Sequence, residues 1–162
     1  MNRGPHNQPT LEEKQMVVTW QDEMSVGDVK IDNDHKYLIS IINTIEAAMD
    51  CEVPCEALSA YVSQLFDYSY KHFQREEKYQ VEIDYPERDA HKKEHADLMK
   101  QIKQIHDDFQ DGTNSSDSSG ACNLKTPHLV RFLRDWLMTH FSNEDVKMKK
   151  YSFISKQKAV KA

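Results

Sequence analysis

Glycine and proline are scarce in this chain, four and five residues in 162, and so are the runs of turn residues that punctuate a β-sandwich or barrel. That scarcity excludes a loop-rich β architecture and leaves helix as the expected state. Long apolar runs are absent too. The longest, such as Leu38 to Ile42, span a few residues, against the roughly 20 that a membrane helix needs. No membrane insertion is therefore expected. Residues Met1 to Thr19 mix Pro, Asn, Gln and Glu without an apolar core segment, so no secretory leader is read, and a cytoplasmic location is expected. Cysteine is limited to Cys51, Cys55 and Cys122. An odd number in a chain read as cytosolic argues against a disulfide framework and for reduced thiols. The net charge of −6, with no lysine cluster interleaved with aromatics, argues against nucleic acid as a partner.

What is present is helical periodicity. The length suits one domain with a real core. Ile31, His35, Leu38, Ile42, Ile45 and Met49 recur in steps of three and four and so share one face of a helix. A second stripe starts beyond Pro54 and runs Leu58, Val62, Leu65, Ser69, His72, Glu76 and Tyr79. After Asp84-Tyr85-Pro86 comes a third: His91, His95, Leu98, Ile102, Ile105 and Phe109. A polar loop from Asp111 to Asn123 leads to a fourth, Leu129, Leu133, Trp136 and His140. The expectation is an all-α, up-down-up-down four-helix bundle over residues 31–150, preceded by an N-terminal arm (1–30) and followed by a C-terminal tail (151–162).

Each apolar stripe carries titratable residues where a core wants none. A single histidine on such a face is ordinarily a hydrogen-bonded core residue. Five on four helices, together with Glu76, are another matter, because an ionised carboxylate buried without a partner costs several kcal/mol. A metal ion supplies the missing positive charge and takes neutral imidazoles and carboxylates as ligands. His72 with Glu76, and His91 with His95, are four residues apart, so each pair projects from one face toward a common point. His140 and Asp145 are five apart, a turn of about 140° on an α-helix, and spacing alone makes Asp145 a poor partner. His6, His106 and His128 fall off the stripes and are read as solvent-facing or structural.

The segments Trp20 to His35 (WQDEMSVGDVKIDNDH), His72-Phe73-x-x-Glu76-Glu77, His91-x3-His95, Trp136-Leu137-x-x-His140 and His140-x4-Asp145 together resemble the bacterial hemerythrin family over about residues 20 to 151. Such bundles build metal sites from facing side chains. The resemblance implies two iron ions with an oxo or hydroxo bridge. His91, His95 and His140 would bind one, His35 and His72 the other, and Glu76 and Asp145 would bridge them. It further implies reversible O2 binding at the less saturated iron, for transport, storage or delivery, in a protein that is not an enzyme. Leu38, Phe73, Trp136, Leu137 and Phe141 would line the pocket for O2, besides being ordinary core residues. Phe141 departs from the isoleucine common there in the family, which puts pocket volume, oxygen affinity and autoxidation in question.

Other classes compete less well. A ferritin-like di-iron oxidase or peroxidase would use Glu-x-x-His on two helices, and the chain contains none. His-Glu-x-x-His of a zinc hydrolase is also missing, and no thiolate joins the set as in a structural zinc or iron–sulfur site. A sensor of O2 or redox state, acting through a partner protein, keeps the same chemistry. Under that reading Cys51-x3-Cys55 would be a candidate switch, although Pro54 between them suits an ordinary turn.

Overall fold

The computed structural model describes residues 17–51, 53–114 and 127–160, with the side chains of 111–130 and 158–160 left aside. Helices α1 (Val29–Asp50), α2 (Cys55–Glu82), α3 (Arg88–Asn114) and α4 (Pro127–Thr139) form the four-helix bundle, and no strand occurs among the described residues. A π-turn (His140–Glu144) and a 3-10 turn (Asp145–Lys147) join α4 to a further helix, α5 (Met148–Val160). Helix α1 packs on α2, α2 on α3 and α4 back on α1.

The predicted stripes form the core. Leu38, Ile42, Ile45, Leu58, Val62, Leu65, Leu98, Ile102, Ile105, Phe109, Leu133 and Leu137 are buried in one cluster. Sequence periodicity works here because each helix has one wet face. Where α2 ends the pattern shifts: Tyr79 is half-buried and its neighbour Gln80 fully buried. Leu129 lies outside the described side chains.

Local chemistry sets the start of α1. Asp28 caps it, its carboxylate accepting from the backbone N–H groups of Lys30 (2.9 Å) and Ile31 (3.2 Å), two donors a helix otherwise leaves unpaired. Gly27, at φ +82°, lets the chain turn into that cap. The helix thus begins at Val29, two residues before the expected boundary. The arm ahead of it is tied down: Asn43 accepts from the Val18 N–H at 3.0 Å and donates to the Val18 carbonyl at 2.8 Å.

Three expectations change. Helix α3 continues through Asn114, so residues 111–114 are helical rather than loop. Residues 148–160, expected mostly as tail, are helix α5, whose Met148 is fully buried with Val26, Ile31, Ile83 and Tyr85. Four lysines in its thirteen residues hid this, since they dilute the apolar stripe while leaving Met148 and Ser152 inward. Cys51 is free and exposed, whereas Cys55 is disulfide-bonded and not a reduced thiol. Cys122 lies outside the described residues, as do His6 and the side chain of His128. No helix among the described residues is long and apolar enough to cross a membrane.

Candidate metal centre

All seven residues expected to hold metal converge at one end of the bundle core. His35, from α1, is 0% exposed, as are His72 and Glu76 from α2 and Asp145 beyond α4; His91, His95 and His140 are 2–3% exposed. Their ligand atoms form two groups, Glu76, His91, His95, His140 and Asp145 in one and His35, His72 and Glu76 in the other, each within 4.8 Å. Glu76 belongs to both.

The carboxylates divide their oxygens between the two sets of histidines. Glu76 turns Oε1 toward Nε2 of His91 (2.8 Å) and His95 (3.4 Å), and Oε2 toward Nε2 of His72 (3.3 Å) and His35 (3.6 Å). Asp145 turns Oδ1 toward Nε2 of His91 (3.0 Å) and His140 (3.2 Å), and Oδ2 toward Nε2 of His35 (3.3 Å). Each carboxylate therefore offers one oxygen to either side, the arrangement a bridging ligand requires.

A π-turn accounts for Asp145. Its N–H bonds to the carbonyl of His140, five residues back, so one residue is looped out and the five-residue spacing closes onto one face. Spacing on a regular α-helix would have turned it away.

The donor set fits a cation. Both ring nitrogens of His35 and His72, Nε2 of His91, Nδ1 of His95, Oε2 of Glu76 and both oxygens of Asp145 are buried without a hydrogen-bond partner. So many orphaned polar atoms in one core are costly unless something else pairs them. The charges agree. Burial works against the Glu76 carboxylate, but His35, His72, His91 and His95 hold it well below the usual range. Asp145 is held low as well: burial and Glu76 oppose its charge, and His140, His35 and His91 outweigh them. In return, Asp145 and Glu76 overcome burial to raise His35 to about 9 and His91 to about 10, while burial takes His140 down to about 4. Without metal, protons on two histidines supply the positive charge that two buried carboxylates need.

Aromatic rings brace three of the histidines. Phe141 stacks on His35 and Phe73 on His95, both at 4.0 Å between centroids, and half-buried Trp136 stacks on His140 at 4.9 Å. Leu38 and Leu137 are buried in the adjoining core. A crevice too narrow for water lies one turn farther along, lined by Ile42, Leu65, Ser69, Leu98, Ile102, Leu133 and Leu137; of the five expected pocket residues Leu137 alone lines it. His106, off the stripe as expected, is half-buried against Phe66.

Sequence reading missed Gln80 and Asp34. Gln80 is fully buried and donates to Glu76 Oε1 at 3.1 Å; its place four residues after Glu76 was the available signal. Asp34 is 7% exposed, accepts from Tyr68 and Arg75 at 2.7 Å each, and lies 3.5 Å from His72 Nδ1. Burial opposes its charge, yet His72, Arg75 and Tyr68 hold its carboxyl well below the usual range.

A hemerythrin HHE cation-binding domain model matches residues 26–151. This chain belongs to the hemerythrin family. Among curated hemerythrins, the bacteriohemerythrin of Pseudomonas paraeruginosa is 29% identical over 128 residues, 79% of this chain and 76% of that protein. The bacteriohemerythrin of Stenotrophomonas maltophilia is 29% identical over 129 residues, 80% and 77% of the two chains. A hemerythrin-like protein of Naegleria gruberi is 25% identical over 133 residues, 80% and 89%. In fold, the chain is similar to a crystal structure of a leucine-to-phenylalanine mutant, with a TM-score of 0.70 and 22% identity over 85% of this chain and 98% of that one.

Proposed function

We propose that this hemerythrin-family chain binds O2 reversibly at a pair of non-haem iron ions, without acting as an enzyme. One ion is assigned to His91, His95 and His140 and the other to His35 and His72, with Glu76, Asp145 and an oxo or hydroxo group between them. The observation that carries the reading is the division of each carboxylate's oxygens between the two sets of histidines. Bound iron supplies the one-electron couples and the open coordination position that O2 chemistry needs.

The protein's own part is to present neutral imidazoles and ionised carboxylates and to keep water out. With two histidines on one side against three on the other, the His35 and His72 set would give its ion one protein donor fewer, so the room for O2 would lie beside those two residues. Phe141 packs there, stacked on His35 and edge-on to His72 at 6.2 Å. An apolar wall at that point keeps the site dry, which suppresses loss of oxidised products to solvent. Histidine-rich ligation and the lack of Glu-x-x-His favour binding over oxidation of a substrate.

Metal analysis combined with an anaerobic-to-aerobic optical titration of the reduced protein tests the proposal. About two irons per chain and a visible band that comes with O2 and leaves on deoxygenation are expected, on the donor count above. Immediate irreversible oxidation by O2 would overturn reversible binding while leaving the metal centre in place.

A further inference from the structure

Three histidines of the centre have an outer carboxylate near Nδ1: Asp34 at His72 (3.5 Å), Glu77 at His95 (3.5 Å) and Glu94 at His140 (3.6 Å). These carboxylates differ in how firmly they are held. The Glu94 side chain is 43% exposed and that of Glu77 27%, whereas that of Asp34 is 10% exposed. Asp34 also has both oxygens engaged: Oδ1 accepts from the Tyr68 hydroxyl and Oδ2 from Arg75 Nε, each at 2.7 Å. Tyr68, His72 and Arg75 occupy positions i, i+4 and i+7 of α2 and so face α1 together. Asp34 is thus clamped on both sides of His72, with its Oδ2 beside a fully buried Nδ1 that has no hydrogen-bond partner.

We infer that Asp34 is the positioning residue for His72, selecting the tautomer in which Nδ1 carries the hydrogen and Nε2, on the Glu76 side, keeps its lone pair free for a metal ion. The inference rests on the metal-site reading proposed above. A histidine ligand must be neutral and must present one particular nitrogen, and a fixed acceptor on the other nitrogen secures both its tautomer and its ring plane. At 3.5 Å the contact is longer than a normal hydrogen bond; such contacts commonly tighten once the inner nitrogen is engaged. Tyr68 and Arg75 prevent Asp34 from turning to solvent instead. Glu94 has the same position relative to His140 without such a clamp, which makes it the internal control.

The test is retention of Fe2+ by the full chain under anaerobic conditions against a competing chromophoric chelator. For Asp34→Asn, one of the two irons is expected to be lost about 10- to 100-fold more readily, the range for removing an outer-sphere partner of a metal-bound histidine. The second iron should stay as in the parent. Asp34→Glu should restore part of the loss, and Glu94→Gln should leave both irons unchanged. Tyr68→Phe, which keeps Asp34 but removes one clamp, should weaken the same iron and provides a second variant should Asp34→Asn fold poorly. Thermal melting of the metal-free forms separates loss of fold from selective loss of iron, since a merely structural role would lower stability without distinguishing the two ions. Parent-like retention of both irons in folded Asp34→Asn, or equal weakening of both, overturns the inference. A parent chain that takes up no Fe2+ removes the metal-site reading and this inference with it.

Discussion

Glu76 ties the two histidine sets together, facing four imidazoles with two oxygens, and it is fully buried. His72 stands on one side only. Replacing His72 with alanine should therefore remove one iron and leave about one per chain, because the three-histidine set keeps all its donors. His106→Ala should leave the iron count unchanged, since that ring stacks on Phe66 with its Nδ1 beside Asp107 and belongs to neither ligand group. Metal analysis of the two purified variants decides it, and full iron content in His72→Ala would refute the assignment. At this scale most of the site was legible in the sequence: six of the seven candidate ligands announce themselves as polar residues in apolar stripes. Asp34 and Gln80 did not, because an acid beside a ligand and an amide past the stripe's end look like ordinary surface residues until packing covers them.

Two elements carry what periodicity could not show. The π-turn at His140–Glu144 brings Asp145 to the centre, and its one-residue excess cannot be told from an irregular stripe on the sequence alone. Helix α5 closes the ligand-bearing end of the bundle. Ser152, buried on it, accepts from the Tyr79 hydroxyl at 2.7 Å and donates to the Val26 carbonyl at 2.8 Å, joining α2, the arm and α5. Met148→Ala should therefore destabilise the protein by about 2–5 kcal/mol, the usual cost of truncating a fully buried Met. Denaturant unfolding measures this, and a change within about 0.5 kcal/mol, typical of a surface site, would mean that α5 is not part of the core.

For the whole molecule, the buried charges predict how the metal-free chain responds to pH. His35 and His91 bind protons more tightly folded than unfolded, so their stabilisation is complete below the ordinary histidine value of 6.5 and is lost as pH rises toward 9 and 10. Glu76 and Asp145 act in the opposite sense, stabilising above the ordinary carboxylate range and losing that contribution as pH falls. His140, lowered to about 4, likewise costs stability as pH drops below 6.5. The melting temperature of the metal-free chain should peak near pH 6.5 and decline toward pH 10. Bound iron should abolish the alkaline decline, because it supplies the positive charge and holds the histidines neutral at every pH in that range. A metal-free chain with a flat profile from pH 7 to 10 would contradict the charge balance described here. The sequence by itself determined the helical class, the four apolar faces and the family, since helical period and ligand spacing are local and survive at 29% identity. The family resemblance named Glu76 and Asp145 as bridging residues, but tertiary structure decided how Asp145 is brought round to the centre, how each carboxylate's two oxygens divide between the sets of histidines and that Asp34 is clamped behind His72. Those facts depend on a one-residue change of helical register and on the approach of separate helices, and neither is encoded in the spacing of any single segment.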